Sequence, residues 1–333
     1  MWITGEYFDG LRAAELAARG RLGAPAQPDP LLRLEWFART WEQAPPGKRP
    51  LIVRARAGQA EAWLFLARSR PGSAVALAGE HSFRFAPIFV GSPDDALKQI
   101  LLRAMARRLK MLGLSHLSLA PMPVEDAALM RASFGRAGWT AIDRPGPQNY
   151  WLDIAGRHFE DYWETCPPDL HEQVATGSRQ LEVEIADLLT PRLWDEIALI
   201  GGAGPFLREL AQDATLDNTL RLGIARVGDA PVAAQLWTVE NGRGTAHWRA
   251  EDPDAKHLFP GADLTASMLR YLMNVDHAEK VDLGTGRAAE LAAWADERRP
   301  LRSLELFNPR APSAWVPALS ARIAGLVRRA PLD

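Results

Sequence analysis

Between Thr245 and Trp294 the hydrophobic period of the chain switches repeatedly. T-A-H-W-R-A-E alternates, D-P-D-A-K-H-L-F-P-G-A-D is rich in turn formers, and L-T-A-S-M-L-R-Y-L-M repeats every three to four residues. K-V-D-L-G-T-G is then a short apolar run closed by glycines, and A-A-E-L-A-A-W is helical again. The order is therefore strand, loop, helix, strand, helix. The loop ends in Phe259-Pro260-Gly261-Ala262 and feeds directly into the helix. A helix start beside a glycine offers free backbone N–H groups and the positive end of a dipole, a generic cradle for a pyrophosphate. The plainer reading of the same residues is a tight turn capped by Asp263.

The same kind of order occurs earlier. Pro50–Arg56 and Ala60–Ala67 read as a hairpin turning at Gly58, and Phe83–Val90 as a strand. Asp94 and Asp95 then suit a helix start. The helix after them carries Leu97, Ile100, Leu101, Ala104, Met105 and Leu109 at i, i+3, i+4, i+7, i+8 and i+12. A strand at His116–Ala120, a helix from Glu125 to Arg136 and a strand at Trp139–Ile142 complete the first half. In the second half, Leu220–Val227 and Val232–Glu240 form a hairpin, followed by Thr245–Glu251 and the segment described above, and Arg302–Phe307 is the last strand. Phe159–Trp163 and Pro191–Ala211 read as a helical connection. The succession β-β-β-loop-α-β-α-β thus occurs twice with little shared sequence, a repeat of architecture alone.

At 333 residues the chain is long for one core and suits two domains. A hydrophobic content of 47% with 24% charged residues fits a globular protein. A net charge of −2 leaves no global field for nucleic acid or an anionic membrane. A single cysteine, Cys166, excludes an intramolecular disulfide and a cysteine-based metal cluster. No leader sequence and no apolar run of roughly 20 residues is visible, so a cytoplasmic location is expected. Pro317–Arg329 reads as a short basic amphipathic helix, a place for peripheral membrane contact or for packing on its own domain.

Three side chains stand where chemistry is expected. Asp282 lies at a strand end with Gly284 and Gly286 beyond it, and strand ends beside a crevice carry chemistry in open α/β sheets. It would orient or deprotonate a reacting group, or simply stabilise the turn. His247 and Glu251, four apart on one strand, share a face with Arg249 by the period of two. Either would serve as a general base in a cleft, and a solvated sheet face is the alternative. Most of the 12 tryptophans read as core anchors, with Trp248 and Trp294 as candidates for stacking on a carbohydrate. Arg179 reads as a surface residue.

F-P-G before a helix, then a strand with D-L-G-T-G and a later tryptophan, resembles the C-terminal half of the GNAT-type acyltransferases associated with exopolysaccharide and cellulose operons, described as BioF-like or FemAB-like. The resemblance implies an α/β (α+β) fold of tandem GNAT-like acyl-CoA N-acyltransferase units, each a mostly antiparallel mixed sheet flanked by helices. It implies a degenerate unit over 1–155 and a second unit with an acyl-CoA site over 156–333. Phe259, Pro260, Gly261 and Ala262 would hold the donor, and Asp282, His247 and Glu251 would handle protons. The acceptor would be a primary amine, either an amino sugar or a lipid amine. No metal is implied. The family's Tyr-Lys pair is replaced here by Glu290 and Leu291. A catalytically degenerate binding protein of the same fold is therefore the rival reading. Aminoacyl-tRNA-dependent transfer is disfavoured, because a tRNA partner should leave a basic footprint.

Overall fold

The computed structural model describes residues 2–286 and 288–311. Arg287 and the expected tail helix Pro317–Arg329 lie outside the described residues. The chain forms two compact units. One comprises Met1–Pro147 and the chain from Pro300 onward, the other Gln148–Arg299.

The first half runs β1 (Thr4–Phe8), α1 (Leu11–Ala18), α2 (Leu34–Glu42), β2 (Arg49–Ala57), β3 (Ala60–Arg70), β4 (Ser73–Ala76), β5 (Ile88–Val90), α3 (Asp95–Met111), β6 (His116–Pro123), α4 (Val124–Arg136) and β7 (Thr140–Asp153). The second runs α5 (Phe159–Trp163), α6 (Pro168–Gly177), β8 (Glu182–Ala186), α7 (Pro191–Ile200), α8 (Pro205–Leu216), β9 (Leu220–Val227), β10 (Ala230–Glu240), β11 (Arg243–Glu251), α9 (Pro260–Asn274), β12 (Lys280–Gly284), α10 (Ala288–Trp294) and β13 (Glu297–Phe307).

In the first unit the strand order is β1-β2-β3-β4-β6-β13, with β5 on β3. The β2–β3 hairpin turns at Gly58, whose φ of +63° is costly for any residue with a Cβ. Helix α3 starts where the sequence places it, because the Asp94 carboxylate accepts the Leu97 N–H at 2.7 Å. Its apolar stripe buries Leu101, Leu102, Met105 and Leu109 in one core with Ile52, Val53, Leu64 and Leu66 of the hairpin. Each such side chain contributes about 1.5–3 kcal/mol by leaving water. A charged residue within this core is Glu61. It is fully buried and receives Arg21 and the Trp63 indole, both at 2.9 Å.

The second unit has the order β8-β9-β10-β11-β12-β7. Helix α9 lies on this sheet with Leu264, Met268, Leu269 and Leu272 buried among Trp237, Ala246 and Val281. The packing is close. A Cβ at Gly244 would fall 2.4 Å from Leu272 Cδ2, so β11 needs a glycine there for the helix to approach.

The two orders correspond strand for strand, and each unit contains one parallel pair, β4 with β6 and β11 with β12. Both are mostly antiparallel mixed sheets flanked by helices, as the family resemblance implies. The last strand of each unit comes from the other half of the sequence. The Tyr150–Asp153 end of β7 pairs with β12, and Leu301–Phe307 of β13 pairs with β6. Strands β1, β4 and β8 are short or polar and were not expected from the sequence. The expected helical connection Pro191–Ala211 is two helices, broken where Gly201 takes a φ of +94° and Pro205 opens the next helix.

Candidate active site

Strands β11 and β12 pair at only three positions: Arg243 with Lys280, Gly244 with Val281, and Thr245 with Asp282. Strand β11 then continues to Glu251, whereas β12 ends at Gly284. The two strands part beyond Thr245, and the sheet opens as a wedge. A bulge in the pairing of β12 with β7 falls between Asp282 and Gly284, so Leu283 leaves the ladder. Its carbonyl accepts a hydrogen bond at 2.7 Å from the Arg249 guanidinium, which reaches across from β11. Burial lowers the Arg249 pKa to about 10, and the nearby Glu290 carboxylate works in the opposite direction. Glu290 itself is exposed, while Leu291 is buried in the core.

The first unit opens at the equivalent place and is closed differently. Strands β4 and β6 pair in parallel from Ser73 with His116 to Val75 with Ser118, and the ladder of β6 with β13 shifts just beyond. There the Pro121 carbonyl accepts the backbone N–H of Phe85. Phe83, Phe85 and Ala86 are buried. Main chain fills the first wedge; a side chain bridges the second.

Asp282 stands at the mouth of the second wedge and is fully buried. One carboxylate oxygen accepts from the Asn149 amide at 2.7 Å and from the Gly284 N–H at 3.0 Å. The other receives Arg243 at 2.7 Å. Gly284 takes a φ of +76°, a backbone shape that suits glycine. The network extends through Asn149, which accepts the Trp151 indole at 2.6 Å. The guanidiniums of Arg243 and Arg299 lie 4.7 Å and 4.2 Å from the centre of the Trp151 ring. Asp282 is thus an ion-paired carboxylate with several donors on it, an arrangement that holds the local structure.

His247 is buried, with its Nε2 2.8 Å from the Thr238 hydroxyl. The register of β10 with β11 jumps from Leu236–Trp248 to Trp237–Ala246, so His247 is the extra residue of a bulge. The alternation that would set it beside Arg249 and Glu251 is interrupted there. The three side chains have different neighbours: Thr238 for His247, the Leu283 carbonyl for Arg249 and the start of α9 for Glu251.

At that helix start, Phe259 has a φ of +51° and its carbonyl takes the N–H groups of Ala262 and Asp263. The Gly261 carbonyl accepts from Gln235 and from the Thr265 hydroxyl. A Cβ on Gly261 would meet Glu251 Oε2 at 2.8 Å, so the carboxylate at the positive end of α9 is that of Glu251. Asp263 is not the cap of this helix. It is buried, it accepts the Ser178 hydroxyl at 2.7 Å, and burial raises its pKa. Arg179 is exposed, as expected. Sequence reasoning missed Arg243, Asn149 and Trp151. The visible signal was the polar stretch N-G-R-G, which reads as a turn.

Residues 198–324 match the family described as "Acetyltransferase (GNAT) domain". Among curated proteins, none matches the sequence. Solved structures with the same fold include FemX, at 10% identity and a TM-score of 0.59, covering 92% of this chain and 98% of that one. A tandem GNAT protein from the clavulanic acid biosynthesis pathway matches at 12% identity and a TM-score of 0.52, covering 91% and 98%. The L-PGS of Bacillus licheniformis matches at 10% identity and a TM-score of 0.52, covering 78% and 85%. This chain has the GNAT fold twice over, in a tandem arrangement whose second copy carries the open wedge.

Proposed function

We propose that the protein is an N-acyltransferase that moves an acyl group from acyl-CoA to a primary amine, with the donor seated in the wedge of the second unit. The observation that carries this reading is the end of parallel pairing at Thr245 and Asp282. Beyond it, β11 turns an unladdered edge toward β12, and such an edge adds an extended chain bearing amide groups. The pantetheine arm of acyl-CoA is such a chain. Its pyrophosphate would lie toward Gly261 at the start of α9, which requires Glu251 to withdraw.

The chemistry is direct aminolysis. The neutral amine attacks the thioester carbonyl, a C–N bond forms, the C–S bond breaks, and the thiol leaves with a proton. Positioning the two reactants supplies much of the acceleration, and backbone N–H groups of the open edge stabilise the oxyanion. Asp282 holds the mouth of the wedge through Arg243, Asn149 and Gly284. Proton acceptance falls to Glu251 or His247. The acceptor is an amino sugar of an exopolysaccharide or a lipid amine, and a cytoplasmic setting fits the donor.

A second reading has its own support. Glu251 against Gly261 opposes a phosphate, and Glu290-Leu291 replaces the family pair. A binding protein without turnover fits these facts. The deciding experiment is thermal unfolding with acyl-CoA, followed by thiol release in the presence of amino sugars and long-chain amines. Stabilisation with thiol release supports the enzyme. Stabilisation without release supports the binder, and no stabilisation by any acyl-CoA rejects the donor site.

A further inference from the structure

We propose that the first unit docks on a bilayer bearing anionic phospholipid, through the cleft between β1 and α3. The cleft, about 490 Å³, is lined by Ile3, Ile100 and Met111 together with Arg103, Arg107 and Arg108. The three arginines belong to one helix, within a turn and a half of each other. Among the described residues none of them is ion-paired to a carboxylate. Glu6 of β1 points to the other face of its strand and is taken by Arg54, and Asp95 of α3 is taken by Lys98. Arg108 stacks over the Tyr7 ring at 5.2 Å. Clustered guanidiniums on a chain whose net charge is −2 call for an external anion.

The apolar surroundings favour a membrane over a soluble anion. Trp2, adjoining Ile3, is 93% exposed, and Met111 is 75% exposed. A large indole and a flexible thioether held in water beside a basic cleft match an interfacial anchor: the ring enters the headgroup layer and the arginines meet the phosphates. The inference rests on residues of the first unit alone, so its failure leaves the acyl-transfer reading untouched.

The test is co-sedimentation of the full chain with phosphatidylcholine vesicles, with and without phosphatidylglycerol. Binding is expected only with phosphatidylglycerol, and salt should weaken it. Replacing Arg103, Arg107 and Arg108 together by Gln should lower partitioning on the order of 100-fold. Trp2→Ala should lower it several-fold. Should the triple variant fold poorly, Arg107→Glu alone, at an exposed position, should still lower partitioning. Equal binding to neutral vesicles, no binding at all, or unchanged binding by these variants would overturn the proposal. So would complete displacement by inorganic phosphate at matched ionic strength, the mark of a soluble-anion site. Loss of binding only when Arg322, Arg328 and Arg329 are neutralised would move the role to the tail and overturn it as well.

Discussion

The Arg249 guanidinium donates to the Leu283 carbonyl across 2.7 Å, at the place where β11 and β12 have just stopped pairing. The equivalent position of the first unit is bridged by the backbone N–H of Phe85. A side chain can leave by rotating about its χ angles, whereas a main-chain bridge leaves only if a buried segment unpacks. On the proposed function, the second wedge is the one that the donor enters, and Arg249 is what it must displace.

Removing that side chain should therefore open the wedge. Arg249→Ala is expected to tighten acyl-CoA binding several-fold, measured by calorimetry. It should also lower stability by about 1–3 kcal/mol through loss of a charge-assisted hydrogen bond. Weaker binding with unchanged stability would mean that Arg249 contacts the donor instead of guarding its place.

Asp282 should behave as a structural ion-pair partner. Asp282→Asn keeps the shape but leaves the Arg243 charge without its counter-ion, and such a loss costs about 3–5 kcal/mol. Urea unfolding measures it. A variant of near-native stability whose turnover collapses would return Asp282 to a proton-handling role.

Gly261 tests the helix start. Gly261→Val places a branched side chain against Glu251 Oε2. The flexible carboxylate can shift, so folding should survive. The melting shift produced by acyl-CoA should disappear, because that shift measures preferential binding to the native state. An undiminished shift would place the pyrophosphate elsewhere.

Asp126, in the first turn of α4, has a pKa raised to about 6, first by burial and then by the neighbouring Glu125, while Arg84 and Lys98 act against both. Its native pKa lies above the unfolded value, so the native state binds more protons between roughly pH 4 and 6. Stability must therefore fall as pH rises through that window. Asp126→Asn should stabilise the protein at pH 7 by about 1–3 kcal/mol, and the gain should vanish below about pH 4. Thermal melts of both proteins across this range check it. A gain that persists at low pH would contradict the assignment.

Much of the fold was legible because apolar period and turn chemistry agree. The α3 stripe and the Asp94 cap were both visible, as were the hairpins and Gly58. The exchange of final strands was not. The sequence reading ends this strand at Ile142, whereas β7 runs on to Asp153; Pro145 and Pro147 disguise the continuation, and period carries nothing about which sheet accepts it. In the site, Asp282 and its glycines stood out, whereas the arginine beside it lay in what looks like a turn. His247 was set with Arg249 and Glu251 by a period that a bulge interrupts. Bulges and long side chains that cross between strands depend on pairing register, which a single sequence does not display.

The most direct test of the account is acyl-CoA-dependent thiol release by the native protein and by Glu251→Gln and His247→Ala, with donor binding measured in parallel. Loss of a general base costs roughly 10²–10⁴-fold in rate. The variant that removes the base should still bind acyl-CoA, Glu251→Gln no more weakly than the native protein, and turn over slower by that factor. Turnover that survives both substitutions would reject the assignment of the base, and donor binding without turnover on any amine would contradict the enzyme itself.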